Sequence, residues 1–163
     1  MKFEIIKHYE SIHDGDLKQI GLQPKMDPVG IWTEGWGHAM RDANGEFIKG
    51  KENFRAALKL SSIHTVEDAD KKLEVDTASV LLTIHRKIKI ELNESQLEAL
   101  TSFIYNTGGS ETLFSLINCQ SMLLYDWWCC HYITGQGIKL TGLVYRRKSE
   151  AMQFTKGIVQ FFN

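Results

Sequence analysis

Proline is nearly missing from this 163-residue chain: Pro24 and Pro28 are the only two, and no Ser/Gly-rich tract breaks the sequence. Linkers and repeat arrays leave compositional marks of those kinds, so one compact domain over 1–163 is expected. That length is enough to bury a core. Cysteine is scarce as well. Cys119, Cys129 and Cys130 are odd in number and two are adjacent, which argues against a disulfide framework and for a compartment that keeps thiols reduced. No run reaches the roughly 20 apolar residues of a membrane span. The opening Met1–Gly15 stretch is amphipathic and charged, without the apolar core and small-residue cleavage site of a signal peptide. No membrane anchor is expected, and the protein would accumulate in a cytoplasm. Charge of one sign is lacking too. The balance is 19 Lys+Arg against 20 Asp+Glu, a net charge of −1, which disfavours a nucleic-acid partner. Residues 1–100 hold 14 basic and 17 acidic side chains, and residues 101–163 hold five and three. The surplus of the second part comes mostly from Arg146, Arg147 and Lys148. The six histidines, at 8, 13, 38, 64, 85 and 131, show no ligand spacing. No metal or cofactor is expected, and His38 reads as a hydrogen-bonding residue.

Turning to what is there, Phe3, Ile6 and Tyr9 recur at helical spacing, which predicts a first helix from Lys2 to about His13 with Glu10 near its end. Glycines at 15, 21, 30, 35 and 37 then punctuate short β-type runs such as Val29–Thr33, predicting hairpins or a small antiparallel sheet. Asn44-Gly45 signals a further tight turn. From Thr65 the pattern becomes helical. Thr65 with Asp68, and Asn93 with Gln96, are capping signatures. They open a helix to about Arg86 and another that ends at Asn106-Thr-Gly-Gly. More helices are expected near 112–118, 121–132 and 145–155. The class is α+β. A small β-containing lobe (about 14–60) is joined by a connecting helix (about 65–86) to a larger helical lobe (1–13 and about 87–163). A groove between the lobes is the expected place for a polymer.

Two acids stand out. Glu10 lies beside apolar Tyr9 and Ile12, and Asp27 opens the turn Asp27-Pro28-Val29-Gly30, with Thr33 six residues further on. Cleaving a glycosidic bond needs one carboxylic acid to protonate the leaving oxygen and a second carboxylate to stabilise charge or activate water. An apolar setting suits the first role and a solvated one the second. On spacing alone, the pair is not distinguished from solvated acids among the twenty in the chain.

The surrounding motifs distinguish it. Tyr9-Glu10-Ser11, Asp27-Pro28-Val29-Gly30-Ile31-Trp32-Thr33-Glu34-Gly35-Trp36-Gly37-His38, Ser102-Phe-Ile-Tyr-Asn-Thr-Gly-Gly109 and Gly142-Leu-Val-Tyr-Arg-Arg-Lys-Ser-Glu150 together resemble the phage-type lysozymes of glycoside hydrolase family 24. The motifs fall in the family's order over nearly the whole chain. The resemblance implies a lysozyme-like fold. It also implies an endolysin's N-acetylmuramidase activity on the β-1,4 bonds of bacterial peptidoglycan, with inversion. Glu10 would be the acid, Asp27 the charge-stabilising carboxylate, and Thr33 the holder of the attacking water. Asn106, Trp36 and Tyr105 would contact substrate. His38 would orient the Asp27–Thr33 loop, and Arg146 or Arg147 would orient Glu10, although the Arg146–Lys148 run also reads as a solvated face. A monomer released to the wall through a holin pore is implied. This chain departs from the pattern at Ser11, in place of Gly, and at Trp36, where Tyr is more common. The longer 13–26 segment is expected to form an enlarged hairpin at the groove rim. A chitinase-like hydrolase and a catalytically silent wall-binding protein are the competing readings; a zinc amidase lacks its ligand clusters. The stripe Trp127, Trp128, Tyr132 reads mostly as core, and Cys129-Cys130 as small packing residues rather than a redox pair.

Overall fold

The structure, a computed structural model, describes residues 1–10, 23–27 and 29–162. The expected hairpin at 13–26 falls mostly outside these residues, as does the end of the first helix beyond Glu10. In chain order the elements are helix α1 (Glu4–Glu10), strands β1 (Lys25–Met26), β2 (Trp32–Glu34) and β3 (His38–Ala39), and helices α2 (Phe54–Leu60), α3 (Val66–Lys87), α4 (Glu94–Thr107), α5 (Glu111–Asn118) and α6 (Leu124–Cys130). A hairpin of β4 (Thr134–Gly135) and β5 (Ile138–Lys139) follows, then α7 (Thr141–Lys156). The α+β class is confirmed. Two elements were not foreseen: α2, and the β4–β5 hairpin, which follows Tyr132.

The chain divides into two compact units, Glu10–Asp76 and Met1–Tyr9 with Thr77–Asn163. In the first, β1–β2–β3 form an antiparallel sheet with Lys25 opposite Thr33, Met26 opposite Trp32, and Glu34 opposite His38. Successive strand residues point to opposite faces. Trp32 therefore turns inward, where it meets Met40, Ile48 and Ala57, with Met26 packed against them. Lys25, Asp27, Ile31 and Thr33 share the other face by the same alternation. The start of α3 is capped reciprocally. Asp68 donates its amide to the Thr65 hydroxyl (3.0 Å), and its carboxylate accepts from the amides of His64 (3.2 Å) and Thr65 (3.0 Å). The His64 amide foremost, with the Thr65 hydroxyl, holds the Asp68 carboxyl below the usual carboxylate range.

The second unit is helical. Its core joins Val80 and Ile84 of α3, Leu100 and Phe103 of α4, Leu113 and Ile117 of α5, Trp128 of α6 and Phe154 of α7. The capping box of α4 forms as its sequence predicts: Asn93 accepts from the Gln96 amide, and the Gln96 side chain accepts from the Asn93 amide. Gly108 ends that helix in the left-handed conformation. Trp128 is fully buried, whereas Tyr132 lies beyond α6 and is 43% exposed. Of the adjacent cysteines, Cys129 packs on the core while Cys130 is exposed. Burial pushes the Cys129 thiol up, which keeps it protonated as a packing residue.

Candidate active site

Asp27 is fixed by its own turn. Its Oδ1 accepts from the amides of Val29 (2.9 Å) and Ile31 (2.8 Å), its amide donates to Ile31 O (2.8 Å), and its carbonyl accepts from Gly30 (3.0 Å). An Asp side chain that satisfies its own turn's amides in this way is locked in place. Oδ2 is the oxygen those amides do not engage. Thr33 stands on the same face of the hairpin and donates its hydroxyl to Lys25 O at 3.0 Å. A hydroxyl that donates to a carbonyl keeps its lone pairs for a further donor, such as water.

Glu10 ends α1 and is half-buried. Its carboxylate lies against Gly37: a Cβ placed on that glycine would sit 3.1 Å from Glu10 Oε2. The Gly-x-Gly motif thus has two separate causes. A Cβ at Gly35 would come within 2.6 Å of Ile63 Cδ1, in the packing, while one at Gly37 would press on the acid. Both residues also have positive φ, 57° and 90°, a region that costs other residues about 1–2 kcal/mol.

Trp36 and His38 are anchored on α3, and Glu34 on the segment that precedes it. Trp36 donates its indole N–H to Asp70 Oδ1 at 2.8 Å. His38 Nδ1 lies 2.9 and 3.1 Å from the two carboxylate oxygens of Asp76. Glu34 is buried and accepts from Ser61 Oγ (2.9 Å), Ser62 N (3.1 Å) and Ser62 Oγ (3.0 Å). Sequence reasoning missed all three acidic anchors, Glu34, Asp70 and Asp76. Their partners lie 27, 34 and 38 positions away at the closest, so no local pattern carries them.

In the helical unit Glu150 is a buried hub. Its Oε1 accepts from Ser102 Oγ (2.7 Å), Arg146 Nε (3.1 Å) and Arg147 Nη2 (2.9 Å), and its Oε2 from Trp128 Nε1 (3.1 Å). Arg147 Nε approaches Oε2 to 2.9 Å as an ion-pair contact without hydrogen-bond alignment. Arg146 and Arg147 are 3% and 0% exposed, so the solvated-face reading of this run is wrong for both. A guanidinium leaves water at such cost that it is buried only when paired, and the glutamate three and four residues on supplies the pairing. Arg147 Nη2 also donates to Asn106 Oδ1 at 3.1 Å. Guanidinium nitrogens have no acceptor, so this bond fixes which way the Asn106 amide points. Its Nδ2 is left as the donor on an exposed residue. Tyr105, next to it on α4, is half-buried.

The expected residues thus fall into two sets. Glu10, Asp27, Thr33, Trp36 and His38 share one unit, and Tyr105, Asn106, Arg146 and Arg147 share the other.

A small sheet with an anchored Asp–Thr pair on one face, followed by a long helix and a helical core, is the architecture of a lysozyme-like glycoside hydrolase. The chain belongs to the phage lysozyme family, whose profile matches residues 17–150, and it acts on peptidoglycan. The matched stretch holds every expected site residue except Glu10. The chain is 25% identical over 158 residues to the endolysin of Acyrthosiphon pisum secondary endosymbiont phage 1, covering 92% of each chain. It is 29% identical over 110 residues to the SAR-endolysin of Enterobacteria phage PA-2, covering 65% of this chain and 57% of that one. Its fold matches the endolysin from Escherichia coli O157:H7 phage FAHEc1 with a TM-score of 0.71 at 21% identity, over 98% of this chain and 93% of that one.

Proposed function

We propose that this chain is an N-acetylmuramidase that cleaves the β-1,4 bond between N-acetylmuramic acid and N-acetylglucosamine with inversion. Glu10 is the acid that protonates the leaving oxygen. Asp27, through Oδ2, stabilises the developing positive charge and orients water held by Thr33. Inversion needs roughly 6.5–9.5 Å between the carboxyl groups to admit that water. Asn106 donates Nδ2 to an oxygen of the glycan, and Trp36 and Tyr105 line the path of the chain. His38 steadies the Asp27–Thr33 hairpin through its strand pairing with Glu34. The observation that carries this reading is the face shared by Asp27 and Thr33, both held by the β1–β2 hairpin itself.

The test is Glu10→Gln on cell walls, following turbidity and new reducing ends together. A positioned general acid contributes about 10²–10⁴ in rate, and a loss in that range is expected in both readouts. Clearing of walls without new reducing ends would show amide cleavage instead. The anomer formed first, read by NMR, reports the stereochemistry, and chitin oligomers as substrate separate a muramidase from a chitinase-like enzyme.

Action as a monomer, with accumulation in the host cytoplasm and release through a holin pore, completes the proposal. Among the described residues no helix is long and apolar enough to cross a membrane. Expression with and without a holin checks the release route, since lysis in its absence requires another one.

A further inference from the structure

We propose that residues 158–162 act as a strap that positions the last turn of α1, with His8, Tyr9 and Phe161 as positioning residues for the acid. The inference rests on Glu10 being that acid. Helix α1 has seven residues, too few to be stable without packing. Its start is secured by burial of Phe3, Ile5 and Ile6, and by Glu98, which accepts from the amides of Lys2 and Phe3. Its last turn, His8-Tyr9-Glu10, buries no residue fully.

That turn is met by the strap. Gly157 ends α7 in the left-handed conformation, φ 68°, and the five residues after it include four apolar ones, Ile158, Val159, Phe161 and Phe162. Packing into a core does not account for them, because Ile158, Val159 and Phe161 are 38–48% exposed. Specific contacts do. The Phe161 ring stacks on His8 with centroids 4.1 Å apart and planes 13° apart, and His8 stands edge-on to Tyr9 at 4.7 Å. The Tyr9 hydroxyl bonds Ser149 Oγ at 2.8 Å and accepts from the Phe162 amide at 3.4 Å. One phenol therefore ties α1, α7 and the strap together. The residue before it in the chain stacks on the strap, and the residue after it is the acid. Ser149 neighbours the buried Glu150, so the tie ends on a fully packed stretch of α7. Apart from Ser149, the residues in these contacts, His8, Tyr9, Phe161 and Phe162, lie outside the stretch matched to the family.

The experiment measures kcat and KM on soluble peptidoglycan fragments for Phe161→Ala, Phe161→Trp and Tyr9→Phe. Each is made in the wild type and in Glu10→Gln, at a temperature where every variant is folded. Misplacing a catalytic group by about 1 Å costs about 100-fold. Removal of one stacked ring from an otherwise held turn is expected to lower kcat by about tenfold with KM little changed, on the same scale. Phe161→Trp restores the rate, and Tyr9→Phe, which deletes a single oxygen, moves it in the same direction as Phe161→Ala. In the Glu10→Gln background, Phe161→Ala adds no further loss. An unchanged kcat in Phe161→Ala and Tyr9→Phe overturns the inference, and so does an equal loss in both backgrounds, which marks a general structural role. If Glu10→Gln itself keeps the wild-type rate, the acid assignment fails and the strap falls with it. If Glu10→Gln is inactive while the strap variants are normal, only the strap falls.

Discussion

Two turns in the smaller unit have the same chemistry and different fates. In Asp27-Pro28-Val29-Gly30-Ile31 and in Asp42-Ala43-Asn44-Gly45-Glu46, the aspartate Oδ1 accepts two backbone amides, at 2.9 and 2.8 Å in the first and 2.9 and 3.0 Å in the second. Each aspartate amide donates to the fifth residue at 2.8 Å, and each glycine donates back at 3.0 Å. The glycines have φ of 86° and 82°. The surroundings differ. Asp42 is exposed, and its turn is closed over by Arg41, whose Nη1 donates to Gly45 O while its guanidinium lies 3.7 Å over Phe47. Asp27 is half-buried, follows Met26 on the core, and shares a face with Thr33. The aspartate turn is thus a structural device first. What makes one copy a candidate for chemistry is the neighbour across the strand.

The largest effect that separates the copies is on activity. Asp27→Asn keeps an Oδ1 acceptor and loses the charge, and should lower the rate on cell walls by about 10²-fold or more, the scale of one preorganised electrostatic group. Asp42→Asn should leave the rate unchanged. Equal losses in the two variants would mean that Asp27 serves only its turn. The next effect is on stability and is shared. Among the described residues, and apart from the adjoining chain neighbours, no atom lies within 4 Å of a Cβ built at Gly30 or Gly45, so Gly→Ala at either position should add chiefly the left-handed strain, about 1–2 kcal/mol. Urea midpoints should fall by similar amounts in both variants, and a markedly larger shift at position 30 would show that this turn carries more than its own backbone.

The smallest effect concerns a third aspartate held by amides. Asp68, at the start of α3, has its pKa depressed in the folded state. Such a group adds stability above its unfolded pKa, and loses it as pH falls through the lower folded value. Asp68→Asn should therefore flatten the acid limb of the stability–pH curve below about pH 4 and change little at neutral pH. An identical acid limb in wild type and variant would separate this cap from the amide-held class.

These contrasts mirror what was legible in the sequence. Helices α3 and α4 carry their start signals locally, in Thr65/Asp68 and Asn93/Gln96, and α4 carries its stop at Gly108. The strands are two or three residues long, too short for a period of two to register, and turns rather than strand residues betray them. Helix α2 follows Gly50 and the glycine-marked hairpins; Asn53 stands at its N-cap position, but its side chain donates to Lys49 O and does not cap the helix. At the site, Asp27, Thr33 and the glycines are legible because they act within one local motif. Glu150 is spaced to meet both arginines, yet its complete burial is not readable, since charged residues seldom leave the surface. Glu34, Asp70 and Asp76 are invisible for a different reason: each is defined only by a partner from a distant element.

The closeness of Glu10 Oε2 to Gly37 has an evolutionary consequence. Position 37 has little room for diversification, because the first carbon of any replacement would press on the Glu10 carboxylate and would have to take up a positive φ. Replacement is easier at a position such as Val29, whose side chain already stands in solvent. A saturation library at residue 37 should return mostly glycine among the active clones, while position 29 accepts many replacements.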